Sequence, residues 1–192
     1  MEKVTSGVNV SCEVIANSAE EYRVTSKNTY LVECFAPDGA LKWAEENCNL
    51  VTEEGLDDLL GQYFKGSGYT AAFYVGLVDN ASFSSVNATN TASNISVTTA
   101  TNGWIEFDDY SEAVRQTLSL GAVASQSVDN SASKATFSID ATGTVNGAFI
   151  ATTNTIGGTS GVLYGVVSFA STRAVTSGDT LNITVTLTQA SA

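Results

Sequence analysis

Residues 161–187, GVLYGVVSFASTRAVTSGDTLNITVTL, constrain the fold most, because two β-rich runs flank a polar turn there. The first run, residues 162–169, is apolar on both faces and predicts a strand in the interior. The second run alternates, and its apolar face consists of Leu181, Ile183, Val185 and Leu187. Such alternation is typical of a half-solvated antiparallel strand. With Gly178 and Asp179 in the turn, the whole stretch predicts a hairpin.

Strand signals recur along the rest of the chain. The sequence Pro37-Asp38-Gly39 is a strong turn signal, so residues 30–35 and 40–43 predict a second hairpin. Further predicted strands lie at residues 6–16, 71–78, 104–107, 114–120, 133–139 and 145–152. The strands predicted after the helix or just before it number about eight, which predicts a mainly β fold, an antiparallel β-sandwich of the jelly-roll type with one short helix.

The helix is predicted at Glu53–Lys65, with Thr52 as its N-cap and Gly66 as its end. Its apolar residues follow helical spacing and form one stripe of Leu56, Leu59, Leu60, Tyr63 and Phe64. We expect Leu56, Leu60 and Phe64 to be buried against a sheet. The acidic residues of the first turn are explained by the helix dipole without a bound cation.

A long polar segment, residues 79–102, is rich in Ser, Thr and Asn and has only Val86, Ile95 and Val97 as possible anchors. It predicts an exposed loop or an edge strand, and segments of this kind often carry contacts.

The chain divides into a sandwich domain, residues 31–192, and an N-terminal arm or strand, residues 1–30. One interpretation is that the arm adds a strand to a neighbouring subunit. The other is that residues 7–16 form one more strand of the same sandwich. If the arm and the polar loop contact a partner, the candidate contact residues are Val8, Val10, Cys12, Tyr22, Asn87 and Asn94.

Composition excludes several classes of partner. Eight basic and 20 acidic residues give a net charge of −12, which repels nucleic-acid phosphates and anionic lipids. No stretch is apolar and long enough to span a bilayer. The three Cys residues, Cys12, Cys34 and Cys48, have no zinc-site spacing and are interpreted as small buried hydrophobes. We therefore expect neither a nucleic-acid partner nor a membrane.

The residues that most enzymes use are missing or unsupported. The chain has no His, which excludes a Ser-His-Asp triad. No Gly-rich phosphate loop follows a strand. A glycosidase would need two carboxylates in a cleft, and the candidates are Glu106, Asp108, Asp109 and Glu112. Acidic residues at strand ends and turns are usually solvated, so we expect no enzymatic activity, no metal and no cofactor.

The order of several short motifs resembles a family of tailed-bacteriophage virion proteins. The motifs are Asn49-Leu50-Val51-Thr52 before the helix, Tyr74-Val75-Gly76-Leu77, Gly103-Trp104-Ile105-Glu106, Tyr110-Ser111-Glu112-x-x-Arg115, Ala135-Thr136-Phe137, Gly147-Ala148-Phe149 and Gly178-Asp179-Thr180-Leu181. The resemblance covers roughly residues 35–187. It implies a structural role on the capsid surface, most plausibly as a decoration or cement protein whose partners are the major capsid protein and further copies of itself.

Two alternatives stay open. One is a tail or fibre component, because similar β composition serves several positions in a virion. The other is a carbohydrate-binding adhesion module, in which Trp104, Phe107 and Tyr110 form a stacking platform beside Asp108 and Asp109. The competing interpretation is that Trp104 and Phe107 pack in the sandwich while Asp108 and Asp109 make a turn.

Overall fold

The computed structural model describes residues 24–66 and 72–191. The predicted strand at residues 6–16 lies outside this part of the chain. The described elements, in chain order, are β1 (Val24–Phe35), β2 (Leu41–Cys48), β3 (Leu50–Val51), α1 (Glu53–Lys65), β4 (Tyr74–Asp79), β5 (Glu106–Phe107), β6 (Gln116–Thr117), β7 (Ser127–Asp129), β8 (Ala135–Ser138), β9 (Gly143–Ala151), β10 (Leu163–Val175) and β11 (Thr180–Ser191).

The strands form two sheets in which all strand pairs are antiparallel. The first sheet has the order β2-β1-β11-β7, and β8 also pairs with β11. The second sheet has the order β3-β10-β9-β4-β5, and β6 also pairs with β4. Strand β1 pairs with β11 along its whole length, from Val24 to Phe35. Residues 24–30, assigned from the sequence to the arm or strand, therefore belong to β1.

The main core lies between the two sheets. Alternate residues of the first sheet point inward and are buried, among them Tyr30, Val32, Cys34, Phe137, Leu181, Ile183 and Val185. They form one cluster with residues of the second sheet, including Val75, Leu77, Val145, Ile150 and Val167. The prediction of a mainly β, antiparallel sandwich with one short helix is confirmed, while the jelly-roll type stays a prediction.

The C-terminal hairpin prediction is wrong about pairing. The turn is present, with Gly178 at φ 91° and the backbone N–H of Thr176 bonded to the Asp179 carboxylate at 2.8 Å. However, β10 pairs with β9 in the second sheet, whereas β11 pairs with β1 in the first. The two runs therefore lie in different layers. Alternation predicts which face of a strand is buried, but it does not specify the neighbouring strand.

The second sheet is buried on both faces, which explains its nearly continuous apolar strands. On its outer face, Val78, Phe149, Ala151 and Val166 form a second cluster with residues of the polar segment. The buried apolar residues of that segment and its flank are Ala92, Ile95 and Trp104. The expectation of an exposed loop or an edge strand at residues 79–102 is therefore corrected: this segment covers the sheet and contains a 3-10 turn at Ala92–Asn94. Of its expected anchors, Ile95 is buried and Val86 packs against the same cluster.

The N-terminal hairpin is confirmed, because β1 pairs with β2 across the turn at Pro37-Asp38-Gly39. Gly39 has a φ of 83°, a conformation that favours glycine. The helix α1 is also confirmed with its predicted bounds. Gly66 ends it in the left-handed conformation at φ 63°.

Candidate interaction surface

The first turn of α1 is fixed to β10. The Thr52 hydroxyl accepts a hydrogen bond from the Gly55 N–H at 3.0 Å and donates one to the Leu163 carbonyl oxygen. The Glu54 carboxylate accepts from the N–H groups of Leu163 at 2.8 Å and Ala92 at 2.9 Å. One carboxylate thus joins the helix to β10 and to the polar segment.

Gly55 brings the helix backbone close to the sheet. A Cβ atom at this position would lie 2.8 Å from the Tyr164 Cα. Because side chains are about 100° apart around a helix, Gly55 points well away from the centre of the apolar stripe. The face that contacts β10 is therefore not the apolar face.

The predicted burial of the stripe is wrong. Leu56 is 41% exposed, Leu60 53%, Tyr63 80% and Phe64 74%. The physical reason is the close approach at Gly55, which turns the apolar stripe away from the strand it was expected to cover. An amphipathic helix with its apolar side in water needs another partner for that side.

The last turn of α1 carries an exposed aromatic pair, Tyr63 and Phe64. Their ring centroids are 5.0 Å apart and the rings meet edge to face at 81°. The two side chains thus form one aromatic projection at the end of the helix.

Beside the helix lies a groove of about 460 Å³, here called the α1 groove. Its lining combines the leucines of α1 with residues of β1, β3 and β11, namely Ser26, Asn49, Leu50, Val51, Leu56, Leu59, Leu60 and Gln189. Two further depressions adjoin it through shared residues: Leu59 also lines the second, and Gln189 the third.

Asn28 and Asn49 have buried amide atoms without a partner among the described residues, and Asn49 lines this groove. Asn28 is completely buried, and among the described residues neither of its amide atoms has a hydrogen-bond partner. Asn49 donates to the Tyr30 hydroxyl at 3.3 Å, but its carbonyl oxygen likewise has no partner there. Asn28 alternates along β1 with Ser26 and Tyr30, so all three share the inward face. Nothing in the sequence pattern distinguished Asn28 from an outward-facing polar residue of a strand.

The aromatic residues considered for sugar stacking do not form a surface platform. Trp104 is completely buried, Phe107 is 1% exposed and Tyr110 is 4% exposed. The Trp104 indole N–H donates to the Asn90 side-chain oxygen at 3.3 Å inside the second core cluster. Phe107 belongs to the core between the sheets, as the packing interpretation predicted, whereas Trp104 is buried on the outer face of the second sheet.

The carboxylates considered for glycosidase chemistry have other partners. Glu106 is buried and forms a two-pronged ion pair with Arg115, with both N–O distances at 2.8 Å. Arg115 also donates to the Thr153 carbonyl oxygen at 2.9 Å, and its guanidinium lies 5.0 Å from the Phe149 ring centroid. Glu112 accepts from the Ser138 N–H at 3.0 Å. The sequence marked Arg115 only as part of a motif, and the structure shows its partner.

Asp108 and Asp109 are exposed next to Phe107. Partial burial, and then the negative charges of Asp109, Asp79 and Asp140, raise the pKa of Asp108 above its ordinary value. Among the described residues, no group of three or more His, Cys, Asp or Glu side chains is placed to hold a metal ion.

The predicted contact residues of the polar segment make local turns. The Asn87 side-chain oxygen accepts from the Thr89 hydroxyl at 2.6 Å, and that of Asn94 accepts from the Thr91 hydroxyl at 2.7 Å. Asn87 is exposed and Asn94 is half-buried. The other four candidates, Val8, Val10, Cys12 and Tyr22, lie outside the described residues. Of the six candidates the structure thus describes two, both in local turns, and it presents at the surface α1, which the sequence assigned to the core.

Comparison with protein-family models and with curated proteins finds no match. Within the described part of the chain, no helix combines the length and apolar character needed to cross a bilayer.

Proposed function

We propose that this protein is a structural component of a tailed-bacteriophage virion, a capsid decoration or cement protein that docks onto the shell through the end of α1. The observation that carries the proposal is the exposed aromatic pair, Tyr63 and Phe64, on a helix whose first turn is fixed to the sandwich. The motif order over residues 35–187 supports the virion role by resemblance.

Energetics favour an interface at this position. Aromatic side chains are enriched at interfaces and dominate many of them, because each buries a large area with few rotatable bonds. A pair held on a capped helix loses less conformational freedom on binding than the same side chains on a loop would. The pair therefore supports a docking role.

The chemistry of the interior supports a structural role rather than a catalytic one. Glu106 is buried and paired with Arg115, and neighbouring aromatic residues such as Phe107 are buried as well. A binding role on the virion surface needs none of these groups to change its protonation state. Self-association between copies on the shell belongs to the same proposal.

The proposal is tested by binding of the purified protein to capsid shells that lack it. Replacing both aromatic residues, Tyr63→Ser with Phe64→Ser, should weaken binding by at least about 100-fold, since two interface aromatic residues together contribute on the order of 3 kcal/mol or more. The melting temperature should stay within about 2 °C, because both side chains are already exposed in the free protein.

The matched control is Leu41→Ser, which removes a 55% exposed apolar side chain outside α1, in β2. This variant should bind shells like the unmodified protein. Failure of the unmodified protein to bind shells, or equal binding by the aromatic double variant, would contradict the proposal. Binding to tails or fibres instead would support the alternative position in the virion.

A further inference from the structure

We propose that Asn102 is a site of spontaneous deamidation, at which the side-chain amide of the folded protein converts to aspartate and isoaspartate. The reaction consumes only water, and it alters the end of the polar segment that covers the second sheet. This inference does not depend on the proposed function, because it concerns the folded subunit alone.

The sequence contains the pair Asn-Gly twice, at Asn102-Gly103 and at Asn146-Gly147. Glycine has no Cβ atom, so its backbone nitrogen is the least hindered nucleophile toward the side-chain carbon of the asparagine before it. The two pairs therefore have the same intrinsic reactivity in an unfolded chain. Any difference between them in the folded protein comes from their surroundings.

The nucleophile at the first pair is free. Asn102 and Gly103 are half-buried in the loop before Trp104. Among the described residues, the Gly103 N–H donates no hydrogen bond, while the Gly103 carbonyl oxygen accepts from the Ser84 N–H at 2.6 Å. Formation of a bond at the Gly103 nitrogen therefore breaks no hydrogen bond of the described chain.

The Asn102 side chain is held by its oxygen alone. Its Oδ1 accepts from the Trp104 N–H at 3.3 Å, whereas its Nδ2 is buried and has no partner within the described residues. The N–H that bonds Oδ1 also stabilises the negative charge that develops on this oxygen when the side-chain carbon is attacked. The nitrogen that leaves is not restrained by any hydrogen bond there.

The reaction has two steps. The Gly103 nitrogen gives its proton to solvent hydroxide and bonds to the Asn102 side-chain carbon. The bond from that carbon to Nδ2 breaks, and Nδ2 leaves as ammonia with a proton from water. Water then opens the five-membered succinimide at either carbonyl carbon, which gives aspartate or isoaspartate. No oxidant or reductant takes part.

The second pair lies in a rigid strand. Asn146 and Gly147 belong to β9, which pairs with β4 on one side and with β10 on the other. Asn146 is 6% exposed, and its side-chain oxygen accepts from the Thr172 hydroxyl at 3.1 Å. A doubly paired strand has to open locally before its backbone nitrogen can approach the side-chain carbon, and core strands open rarely. Asn146 is therefore the internal control.

The isoaspartyl product changes the backbone. It adds one methylene to the main chain between residue 102 and Gly103. Gly103 is bonded to Ser84, and Trp104 is completely buried, with its ring centroid 5.4 Å from that of Phe149. Close-packed surroundings do not absorb an inserted methylene without displacement. The aspartyl product keeps the original backbone and can still accept from the Trp104 N–H.

Incubation of the full chain at mildly alkaline pH, followed by peptide mass spectrometry with fragment ions, measures both sites in one sample. In the folded protein we expect Asn102 to deamidate at least about ten times faster than Asn146, because only Asn102 can reach the reactive geometry without local unfolding. In guanidinium chloride the two rates should agree within about twofold, because the fold no longer distinguishes the pairs.

Two variants complete the test. Asn102→Gln should remove the modification, since the longer side chain cannot close the five-membered ring. Asn102→Asp supplies the aspartyl product without the inserted methylene. The isoaspartyl fraction, identified by labelling with a protein isoaspartyl methyltransferase, should unfold at a lower urea concentration than Asn102→Asp.

Equal rates at the two sites in the folded protein, or a faster reaction at Asn146, would overturn the proposal. So would an Asn102 that stays unmodified in the folded protein while it reacts in guanidinium chloride. An isoaspartyl fraction as stable as Asn102→Asp would overturn the inferred effect on the Trp104 contact. Shell binding is measured separately on freshly prepared protein, so failure of either proposal leaves the other assessable.

Discussion

At the scale of single residues, buried charges tie distant parts of the chain together. Asp179, at the turn before β11, accepts hydrogen bonds from the Lys42 ammonium at 2.5 Å and from the Thr176 N–H and hydroxyl at 2.8 and 3.0 Å. Burial alone would raise the pKa of Asp179. The hydrogen bonds from Lys42 and Thr176 outweigh it, and the pKa lies below its ordinary value of 3.8.

This direction determines the pH dependence of stability. A carboxyl group whose pKa is lower in the folded state stabilises the fold fully above its unfolded pKa and loses that contribution as the pH falls through the folded value. We expect Asp179→Asn to lower the free energy of unfolding by about 2 kcal/mol at pH 7. The difference from the unmodified protein should shrink as the pH falls below 3.8.

Urea unfolding at pH 7 and in the acid range measures this difference. Asp57→Asn, an exposed change on α1, is the control and should have little effect at either pH. A penalty for Asp179→Asn that is the same at both pH values would show that the carboxylate charge is unimportant.

The Glu106–Arg115 pair is a second residue-scale prediction. Both side chains are completely buried, so Arg115→Ala leaves a buried negative charge without its partner. We expect a loss of about 3–5 kcal/mol in the free energy of unfolding. The control is Lys134→Ala, which breaks the partly exposed pair with Glu33 and should cost less than about 1 kcal/mol. Equal losses in the two variants would contradict the special role of the buried pair.

At the scale of elements, α1 shows how far sequence reasoning extends. Its start, its end and its stripe follow from Thr52, Gly66 and helical spacing, because caps and periodicity are local properties. The sequence did not predict which face of α1 contacts the second sheet. That face is determined by the close approach of Gly55 to the Tyr164 backbone, and Tyr164 lies more than 100 residues later in the chain. Likewise, alternation in β11 predicted its buried face, while its pairing with β1 depends on the whole topology.

Gly55 is therefore a testable determinant of how the helix sits. Gly55→Ala improves helix propensity, yet the added methyl meets the Tyr164 backbone. We expect the clash to win and the free energy of unfolding to fall by about 1–3 kcal/mol. Asp57→Ala, an exposed position of the same helix, is the control and should be neutral or slightly stabilising. A stabilised Gly55→Ala protein, measured by urea unfolding, would show that the helix docks less closely than described.

At the scale of the whole molecule, the second sheet is covered on both faces and the first sheet on one. The mainly β class followed from recurrent strand patterns, which are dense enough to outweigh errors at single elements. The interaction surface could not be predicted from the sequence. The same apolar stripe is equally consistent with a core contact, an intramolecular groove or a docking site. Only the placement of α1 relative to β10 separates these interpretations.

We propose above all that the end of α1 docks this subunit onto a phage shell. The most direct measurement is the density of intact particles at a resolution that places individual helices. The account predicts a β-sandwich on the outer capsid surface, with Tyr63 and Phe64 at the contact with the shell. Density for the sandwich on the tail alone, or on the capsid with the aromatic pair facing solvent, would contradict it.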